Sequence, residues 1–376
     1  MTEGWVDRAL AEQPSQSVRG TVREELVLER IDRARRARPR VREDRITMSH
    51  GAGGKATQSL IEAIFVDAFA NPMLEPLEDA ARLQVGGSRL ALTTDSYVVS
   101  PLFFPGGNIG DLAVNGTVND LSTAGATPLY LSAGFILEEG FGIAELTTIV
   151  ASMRAAARAA GVEIVTGDTK VVEKGKADGC YICTAGVGLI APDTDLGVAH
   201  ARPGDAIIVS GPIGDHGVTI MLARGELDIE ADISSDTAPL NGLVAALLSA
   251  VGGVRALRDA TRGGVATILN EIARAANLGV LVSEDAIPVR PQVRGAAELL
   301  GIDPMYVACE GRMVVVVDGS EASQALAVLR AHAAGERAAI IGEVTADAPG
   351  VVQLRTAFGG TRIVDLLVGD PLPRIC

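Results

Sequence analysis

The sequence predicts an α/β protein of two domains, and three observations carry this prediction. The chain has 376 residues, about twice the length of an ordinary domain. Hydrophobic residues make up 48% of it and aromatic residues only 3%, a balance that favours tightly layered helices and sheets over an aromatic-rich sandwich. A strand followed by a glycine-containing loop and a helix recurs in both halves. We therefore expect two α/β units of similar design.

The charge balance and the cysteines narrow the classes of function. A formal net charge of −14 disfavours nucleic acid and anionic membrane surfaces as main partners, because both require a basic footprint. The four cysteines are too few and too scattered for a disulfide framework, which favours a reducing compartment. No apolar run approaches the roughly 18 residues that cross a bilayer, and the N-terminus lacks the apolar stretch of a secretory signal. We expect a cytoplasmic protein without nucleic-acid or membrane partners.

Residues 1–45 differ from the rest and are predicted to be an appended, mobile segment. A helix-like stretch at 22–34 leads into a basic run at 33–42. Such a run can bind nucleic acid, but a solvated segment is the more frequent outcome and is favoured here. Docking of this run on the acidic main body is left open.

The ordered part is predicted to open at Ile46 with a glycine-rich loop before a helix. Three glycines and a lysine precede an apolar helical pattern, an arrangement that can cradle phosphate. Ser49 and Ala56 rule out a Walker A loop, and Ala56 also rules out a dinucleotide fingerprint, because these motifs need other residues at those positions. The candidate phosphate-binding residues are Gly51, Gly53, Gly54 and Lys55. By itself this signal is weak.

The next strand and helix carry short acids and amides. A strand at 90–94 leads into Asp95, and a helix is predicted at about 109–124. Asp111, Asn115 and Asn119 lie four residues apart on one face of that helix, with Asp120 beside them. A merely solvated face would normally carry Lys and Glu, so this face suggests a metal or ligand. Asp95 and Asp120 are the first candidate Mg²⁺ ligands, since Mg²⁺ takes one or two carboxylates plus phosphates.

Three strands and a helix complete the first half. The strands are predicted at 128–137, 162–166 and 179–190, and the helix at 143–160. Asp168, Thr169 and Lys170 follow the second of these strands, which places an acid and a base where the strand meets a loop. Cys180 and Cys183 lie three apart on the third, so they point to opposite faces and are interpreted as structural.

The second half is predicted to follow a polar junction at 191–203 and to repeat the first. Strands are predicted at 206–210, 256–259, 313–317, 339–344, 351–354 and 363–366, and helices at 265–276, 291–300 and 322–331. Asp259 ends a strand beside the glycine-containing loop 261–264, whose backbone can approach phosphate. Glu310 is a charge at a loop–strand junction. His216, beside two glycines, is a candidate general base or equally a turn residue.

The last six residues place a cysteine where no core can hold it. Pro371 and Pro373 stiffen the approach by fixing φ, Arg374 adds a charge and Ile375 adds an apolar foothold. The segment is interpreted as a semi-rigid arm that carries the Cys376 thiol, with a frayed terminus as the alternative.

Seven sequence blocks, taken in order, resemble one family. They are residues 93–96 (TTDS), 119–121 (NDL), 167–170 (GDTK), 214–217 (GDHG), 258–264 (RDATRGG), 308–311 (ACEG) and 371–376 (PLPRIC). Together they resemble the HypE family of hydrogenase-maturation proteins, within the PurM-like, AIR synthase-related superfamily. The resemblance covers nearly all of residues 46–376 and is specific, because other PurM-like proteins lack a terminal Pro-Arg-Ile-Cys. A selenophosphate synthetase would need a reactive Cys or Sec before its glycine-rich loop, and no cysteine precedes Cys180.

The resemblance implies the fold and the domain limits. The fold would be a PurM-like two-domain fold of the α/β (α+β) class, with mixed or antiparallel sheets and helices packed on one face of each. Residues 46–195 would form an ATP-binding, dimerising N-terminal domain, 196–366 a C-terminal domain and 367–376 a flexible tail. The protein would be a homodimer with ATP in the cleft between the two domains.

The resemblance also implies a reaction. The carbamoyltransferase HypF would carbamoylate Cys376, and this chain would use ATP and Mg²⁺ to dehydrate the S-carboxamide to a thiocyanate. Cyanide would then pass to iron on a HypC–HypD complex. Lys170 and Glu310 would lie beside the modified cysteine, and Asp95, Asp120 and Asp259 would hold Mg²⁺. Contacts to ATP would come from Gly51, Gly53, Gly54, Lys55, Asp95, Asn119, Asp120, Asp168, Thr169 and Asp259.

This chain departs from the family pattern in two places, and two other functions compete with the dehydratase. The 45-residue extension is not part of the pattern, and Cys309 stands where relatives are expected to have asparagine. A PurM-like kinase or synthetase that acts on a free small amide would leave Cys376 idle. A catalytically silent carrier would need no Mg²⁺ site, so the acids at the strand ends argue against it.

Overall fold

The computed structural model describes residues 41, 43–225, 231–367 and 374–376. The helix predicted at 22–34 and most of the basic run at 33–42 lie outside these residues. Within the described ranges, the structure contains no helix with the length and apolar character needed to span a bilayer.

The glycine-rich loop leads into a short helical region. A 3₁₀ turn at Met48–Gly51 precedes α1 (Lys55–Leu60), which continues as a π-helical stretch, Ile61–Val66, and a last turn, Asp67–Phe69. A Cβ atom at Gly53 would lie 2.7 Å from the backbone oxygen of Arg262, and one at Gly54 would lie 2.6 Å from that of Leu367. These glycines therefore let the loop approach the backbone of the second half and of the tail.

Five strands form the first sheet, in the order β1–β2–β7–β5–β6. All neighbouring pairs are antiparallel except β5 and β6, which are parallel. The strands of this half are β1 (Ala81–Val85), β2 (Ser88–Tyr97), β5 (Ala126–Glu138), β6 (Glu163–Val172) and β7 (Cys180–Ile190), with a small separate hairpin of β3 (Phe103–Phe104) and β4 (Gly107–Asn108). Residues alternate between buried and more exposed along β7, and Cys180 is buried while Cys183 is exposed, as predicted.

Two helices cover one face of this sheet. They are α2 (Ile109–Thr123) and α3 (Ile143–Ala160), and their apolar residues share a core with the inward residues of the strands. Asn108 caps α2 through its side chain, which accepts from the Gly110 amide at 2.8 Å, and Asp111 accepts from the Asn108 amide at 2.7 Å. On the opposite face of the sheet, called the open face below, side chains such as Leu92 and Tyr130 are exposed.

Two predicted strand ends lie inside strands. Asp95 belongs to β2, and Asp168 to Lys170 belong to β6, so the prediction that these residues follow their strands was wrong. Gly167 suggested that the strand ends in a turn, but it lies within β6. A Cβ atom there would lie 2.2 Å from the backbone oxygen of Ala133, so glycine permits a close approach of the two strands beside a register shift.

Seven strands form the second sheet, in the order β14–β13–β10–β12–β8–β11–β9, with only β10 and β13 parallel. The strands are β8 (Ala206–Val209), β9 (Val254–Asp259), β10 (Gly279–Ser283), β11 (Met313–Val317), β12 (Ala339–Thr345), β13 (Val352–Arg355) and β14 (Thr361–Val364). The helices are α4 (Asp215–Ala223), α5 (Asn241–Ala250), α6 (Gly264–Ala276), α7 (Pro291–Leu300) and α8 (Ala322–Ala331). The chain therefore has the predicted mixed sheets and α/β class.

The second sheet differs from the expectation in being covered on both faces. Along β11, Val314 and Val316 join a core with α6, whereas Met313, Val315 and Val317 join a core with α5 and α8. A strand buried on both sides needs a continuous apolar run and not an alternating one, and β11 has it. The predicted domain limits at residues 45, 195 and 366 stay predictions.

Candidate active site

Three carboxylates meet where the two halves of the chain come together. Asp79 precedes β1, Asp120 lies on α2 and Asp259 ends β9. One oxygen of each lies within 4.8 Å of the others. Within the described ranges, the Oδ2 atoms of Asp79 and Asp259 are buried without a hydrogen-bond partner. Burial and the repulsion among these acids, together with nearby Asp95, raise the pKa values of Asp120 and Asp259 well above the usual range.

This cluster fits a divalent cation. Hard carboxylate oxygens are the ligands that Mg²⁺ prefers, and two orphaned buried oxygens are costly unless something compensates for them. Asp120 and Asp259 were predicted as ligands, whereas Asp79 was missed. Its only sequence signal was an acidic pair, Glu78-Asp79, directly before a strand.

Arg258 fixes the position of Asp79. Its guanidinium is buried and pairs with Asp79, with Glu271 at 2.9 Å and with Glu78 at 3.7 Å. Arg258 holds Oδ1 of Asp79, while Oδ2 is buried without a hydrogen-bond partner among the described residues. Arg258 is the neighbour of the candidate ligand Asp259 in the sequence. It thus orients a second candidate ligand, Asp79, which comes from the other half of the chain.

Asp95 lies near the cluster but outside the set of three oxygens. It is buried in β2, accepts from the Tyr97 hydroxyl at 3.0 Å and interacts with Asp120. Burial raises its pKa. The Tyr97 hydroxyl needs a glycine opposite it, because a Cβ atom at Gly116 would lie 2.1 Å from that oxygen. The small residues of α2 therefore admit the tyrosine that holds Asp95.

The C-terminal tripeptide is docked beside β2. The Val98 amide donates to the Cys376 backbone oxygen at 3.1 Å, and the Ser100 amide donates to that of Arg374 at 3.3 Å, so the tripeptide runs antiparallel to the segment that follows β2. The Ile375 side chain is buried in the core of the first half. The predicted mobility of residues 367–376 stays a prediction, but their last three residues have a defined binding site.

Side chains on both halves hold this tripeptide. Arg374 forms an ion pair with Asp178, and its Nε donates to the Val98 oxygen at 3.1 Å. His216, which is fully buried, donates from Nε2 to the Ile375 oxygen at 2.9 Å. Both ring nitrogens of His216 are occupied, the other by Ser235, so this geometry favours an anchor for the tail and gives no support to a general base.

Cys376 lines a small, mainly apolar cavity to which Arg262 and Arg374 contribute positive charge. The cavity has a volume of about 140 Å³, and Ser96, Arg262, Gly263 and Cys376 are among its lining residues. Burial raises the pKa of the thiol to about 12, Arg262 opposes this shift, and Glu310, Asp95 and Asp259 add to it. A space of this size takes a few heavy atoms on the sulfur, whereas nucleotide pockets are typically several hundred Å³.

Arg262 and Glu310 have the largest electrostatic effects on the thiol among the charged side chains. Attraction to Cys376, then to Asp95 and Glu310, raises the pKa of Arg262. Glu310 is 3% exposed, and its Oε1 has no hydrogen-bond partner within the described residues. Burial and then repulsion from Asp259 raise its pKa well above the usual range. Sequence reasoning singled out Glu310 but gave Arg262 no role.

Lys170, Asp168 and Thr169 lie elsewhere in this chain. Thr169 is level with Tyr97 of β2 in the sheet, but β7 and β5 lie between their strands, so roughly 14 Å separates the two backbones. Lys170 and Asp168 form an exposed ion pair on the edge strand β6. This pairing lowers the pKa of Asp168. Within one chain, therefore, Lys170 is not beside Cys376.

Two other predicted ATP contacts are engaged in structural pairs. Asn119 donates to the Ala238 and Glu310 backbone oxygens and accepts from the Leu240 amide, so it ties α2 to the second half. Lys55 pairs with Asp365 at 2.6 Å. Gly51 lines the cavity, and Gly53 and Gly54 pack on Arg262 and Leu367. Phosphate binding by this loop stays a prediction.

Comparisons with known proteins agree with this architecture. The AIR synthase related protein N-terminal domain matches residues 77–190, and the C-terminal domain of the same description matches residues 202–355. The carbamoyl dehydratase HypE of Azotobacter vinelandii is 54% identical over 336 residues, which are 89% of this chain and 98% of that protein.

Solved structures are equally similar. A HypE–HypF complex contains a chain with 48% identity and a TM-score of 0.78, covering 82% of this chain and 99% of that one. A hydrogenase maturation protein HypE in complex with ATP has 50% identity and a TM-score of 0.74, covering 88% and 100%. These similarities confirm the PurM-like fold and the family that the seven sequence blocks indicate. The chain belongs to the HypE carbamoyl dehydratase family, built from the two AIR synthase-related domains.

Proposed function

We propose that this chain is an ATP-dependent carbamoyl dehydratase that acts on its own C-terminal Cys376 and thereby supplies cyanide for the iron of [NiFe]-hydrogenase. One observation carries the proposal: Cys376 and Arg262 line the same small cavity, and Arg262, Glu310 and Asp259, a member of the carboxylate cluster that fits Mg²⁺, all act electrostatically on the Cys376 thiol. A free terminus would need no such site. Relatives named carbamoyl dehydratase, and a related structure with ATP, support the same activity.

The reaction converts the S-carboxamide to a thiocyanate. The amide oxygen takes the γ-phosphoryl group of ATP and leaves as phosphate, so the carbon–oxygen bond breaks and ADP is released. Both N–H protons depart as the carbon–nitrogen bond becomes triple; one ends on phosphate and one in solvent. An amide oxygen is a poor leaving group by itself, which is why phosphorylation is needed.

The charged residues around the thiol would have different roles in this reaction. Arg262 would stabilise negative charge that develops on the amide oxygen and its phosphoryl group. Glu310 would accept and pass on an amide proton, and its burial, which raises its pKa, favours the protonated form that this role requires. Asp79, Asp120 and Asp259 would hold Mg²⁺, whose positive charge would offset the repulsion among these acids and the charge of the triphosphate. Because the cavity is small, we expect the Gly51–Lys55 loop to move when ATP binds.

Lys170 and Asp168 would act across a homodimer. The open face of the first sheet carries apolar residues on adjacent strands, among them Leu92, Tyr130 and Leu189. A second copy over this face would bury them and would cover β6, which is exposed along nearly its whole length. Such a dimer brings the Lys170–Asp168 pair beside another chain, the remaining way for it to approach a modified thiol.

We further propose the partners that such a cycle requires. HypF would carbamoylate Cys376, and a related HypE has been crystallised with HypF. A HypC–HypD complex would receive the cyanide on iron. Each transfer needs the tail to leave its docked position, because Cys376 is partly buried against the core of the first half and His216 of the second half holds the neighbouring Ile375.

The test is intact-mass measurement of the full chain after carbamoylation by a HypF system and then addition of ATP and Mg²⁺. The dehydratase predicts loss of about 18 Da, one water, from the carbamoylated protein. Glu310→Gln should accept the carbamoyl group but keep its mass, and Cys376→Ser should not be carbamoylated. A carbamoyl mass that persists in wild-type protein that binds ATP contradicts the proposal. Turnover of a free small amide by Cys376→Ser would favour the kinase or synthetase alternative.

A further inference from the structure

Residues 235–237, between α4 and α5, contact the tail anchor His216, the backbone of Glu310 and the helix α2. The Ser235 hydroxyl bonds to Nδ1 of His216 at 2.7 Å. Asp236 accepts from the Glu310 amide at 3.0 Å. The Thr237 hydroxyl accepts from the Asn115 side chain of α2 at 3.0 Å. Three consecutive residues thus meet the tail anchor, the buried acid and the first half of the chain.

Two glycines hold this segment in place. A Cβ atom at Gly311 would lie 1.8 Å from the Asp236 backbone oxygen, and one at Gly106 would lie 2.9 Å from the Ser235 backbone nitrogen. Glycine is therefore required on both sides, since any side chain would displace the segment. The Ser235 amide also donates to the Pro105 oxygen at 2.9 Å. The segment is clamped between the β3–β4 hairpin and the Glu310 loop.

The hydrogen-bond donors and acceptors around the His216 ring define the role of Ser235. The Ile375 carbonyl oxygen can only accept, so Nε2 of His216 carries a proton. Burial lowers the pKa of His216 and so favours the neutral ring, in which Nδ1 carries no proton when Nε2 does. Ser235 must then donate to Nδ1, while its lone pair accepts the Thr237 amide at 3.1 Å. Ser235 therefore selects the tautomer that can hold the tail.

Asp236 has a matching task toward Glu310. Its Oδ1 accepts the Glu310 amide, and its Oδ2 lies 3.3 Å from Nε of Arg312. Arg312 is itself held by the Pro212 oxygen at 2.7 Å. Asp236 is buried, so both interactions take place away from bulk water. The backbone that carries Glu310 is thereby fixed to the residue that follows Ser235.

We propose that Ser235 and Asp236 are positioning residues that hold the docked tail and Glu310 in fixed positions relative to each other. Ser235 acts through the tautomer of His216, and Asp236 acts through the backbone of Glu310. The role given to Asp236 rests on the proposed dehydratase, whereas the role given to Ser235 concerns docking alone. The two can therefore be tested separately.

Docking is measured on the full chain without any turnover. Alkylation of Cys376, followed by peptide mass spectrometry, reports the undocked fraction, because burial suppresses ionisation of the docked thiol. Buried Cys180 and Cys309 serve as internal references for an intact fold. Ser235→Ala should raise the Cys376 rate about threefold to tenfold, the effect of one buried hydrogen bond, and leave both buried cysteines unreactive. Ser234→Ala, on the adjacent exposed serine, is the matched control and should behave as wild type.

The tautomer is read by NMR with ¹⁵N-labelled histidine. The chain has four histidines, so the ring signals are few and His216 is assigned by substitution. Wild type should show His216 protonated at Nε2 only, and Ser235→Ala should lose this single-tautomer signature. Equal alkylation rates and an unchanged His216 signature in Ser235→Ala would overturn the role of Ser235, whether or not the protein dehydrates anything.

The role of Asp236 is tested by single-turnover water loss from the carbamoylated chain. Asp236→Ala should slow this step about tenfold to a hundredfold through misplacement of Glu310, with Cys376 alkylation unchanged. Asp236→Asn keeps the acceptor oxygen and should recover much of the rate, and Asp232→Asn, on an exposed aspartate of the same loop, is the control. A wild-type rate in folded Asp236→Ala would overturn this role. Absence of water loss in wild type would instead overturn the proposed function.

Discussion

At the scale of single residues, Asp79 is the third carboxylate of the candidate Mg²⁺ site, although the sequence around it gives no motif for a metal ligand. Asp79→Asn keeps the shape but removes one of three charges, and it leaves Arg258 with fewer partners. We expect Mg²⁺ affinity, measured by isothermal titration calorimetry, to fall by about tenfold or more. Asp67→Asn, an exposed substitution on the last turn after α1, should bind as wild type. Equal affinity in a folded Asp79→Asn variant would exclude Asp79 as a ligand.

Asp215 gives stability a pH dependence that can be assigned to one residue. Burial and then Asp236 raise its pKa to about 6, although Arg290 lies 3.2 Å and Arg312 3.6 Å away. Between about pH 4 and 6 the folded chain therefore holds more protons than the unfolded chain, so the free energy of unfolding falls as pH rises.

The substitution Asp215→Asn should remove this part of the pH dependence. Urea unfolding at several pH values from 4 to 7 would show the wild-type free energy falling relative to that of the variant across the window. The difference should then stay constant above about pH 7. Parallel curves for the two proteins would show that the Asp215 carboxyl is not protonated on folding.

At the scale of elements, the open face of the first sheet exposes several large apolar side chains to solvent. Leu92, Val187 and Tyr130 are cross-strand neighbours on β2, β7 and β5. Tyr130 is 49% exposed and Leu92 is 44% exposed. An apolar face of this kind, next to an unpaired edge strand, is typical of an interface.

A charge on this face should therefore break the proposed homodimer. Tyr130→Glu is expected to give a monomer by light scattering coupled to size-exclusion chromatography, because a dimer would bury the carboxylate. Ile143→Glu is the control, since Ile143 is 76% exposed at the start of α3, a helix on the other side of the sheet. A Tyr130→Glu protein that remains dimeric would place the dimer contact elsewhere.

At the scale of the whole molecule, the helix α2 joins the two halves. Asn119 is 1% exposed and makes three hydrogen bonds to backbone groups of the second half. The sequence showed a polar helix face and suggested a ligand for it. The structure shows instead that this face satisfies the irregular backbone at 237–240 and at Glu310.

Removal of that side chain should loosen the molecule measurably. Asn119→Ala leaves the buried Leu240 amide without its acceptor, and we expect the free energy of unfolding to fall by about 2–3 kcal/mol. Denaturant unfolding would measure the change. Thr148→Ala, on the exposed face of α3, should change it little. A cost below about 0.5 kcal/mol would show that water replaces the Asn119 contacts.

The sequence by itself determined the order and type of most elements. Apolar periodicity and glycine positions located the helices at 109–124, 143–160 and 265–276 and the strand at 313–317, and the structure has them within a few residues. The period of two along β7 separated Cys180 from Cys183. The terminal Pro-Arg-Ile-Cys, with the six other blocks, identified the family. These are local properties, which neighbouring residues largely decide.

Only the tertiary structure decided which residues meet. Asp79, Asp120 and Asp259 are separated by up to 180 residues, and no local pattern shows that their oxygens converge. No local pattern shows that the tail docks between Val98 and His216. Nor does one show that Lys170 lies on an edge strand, away from the thiol. Strand order and register set these distances, and both follow from the burial of the whole core and not from any one segment.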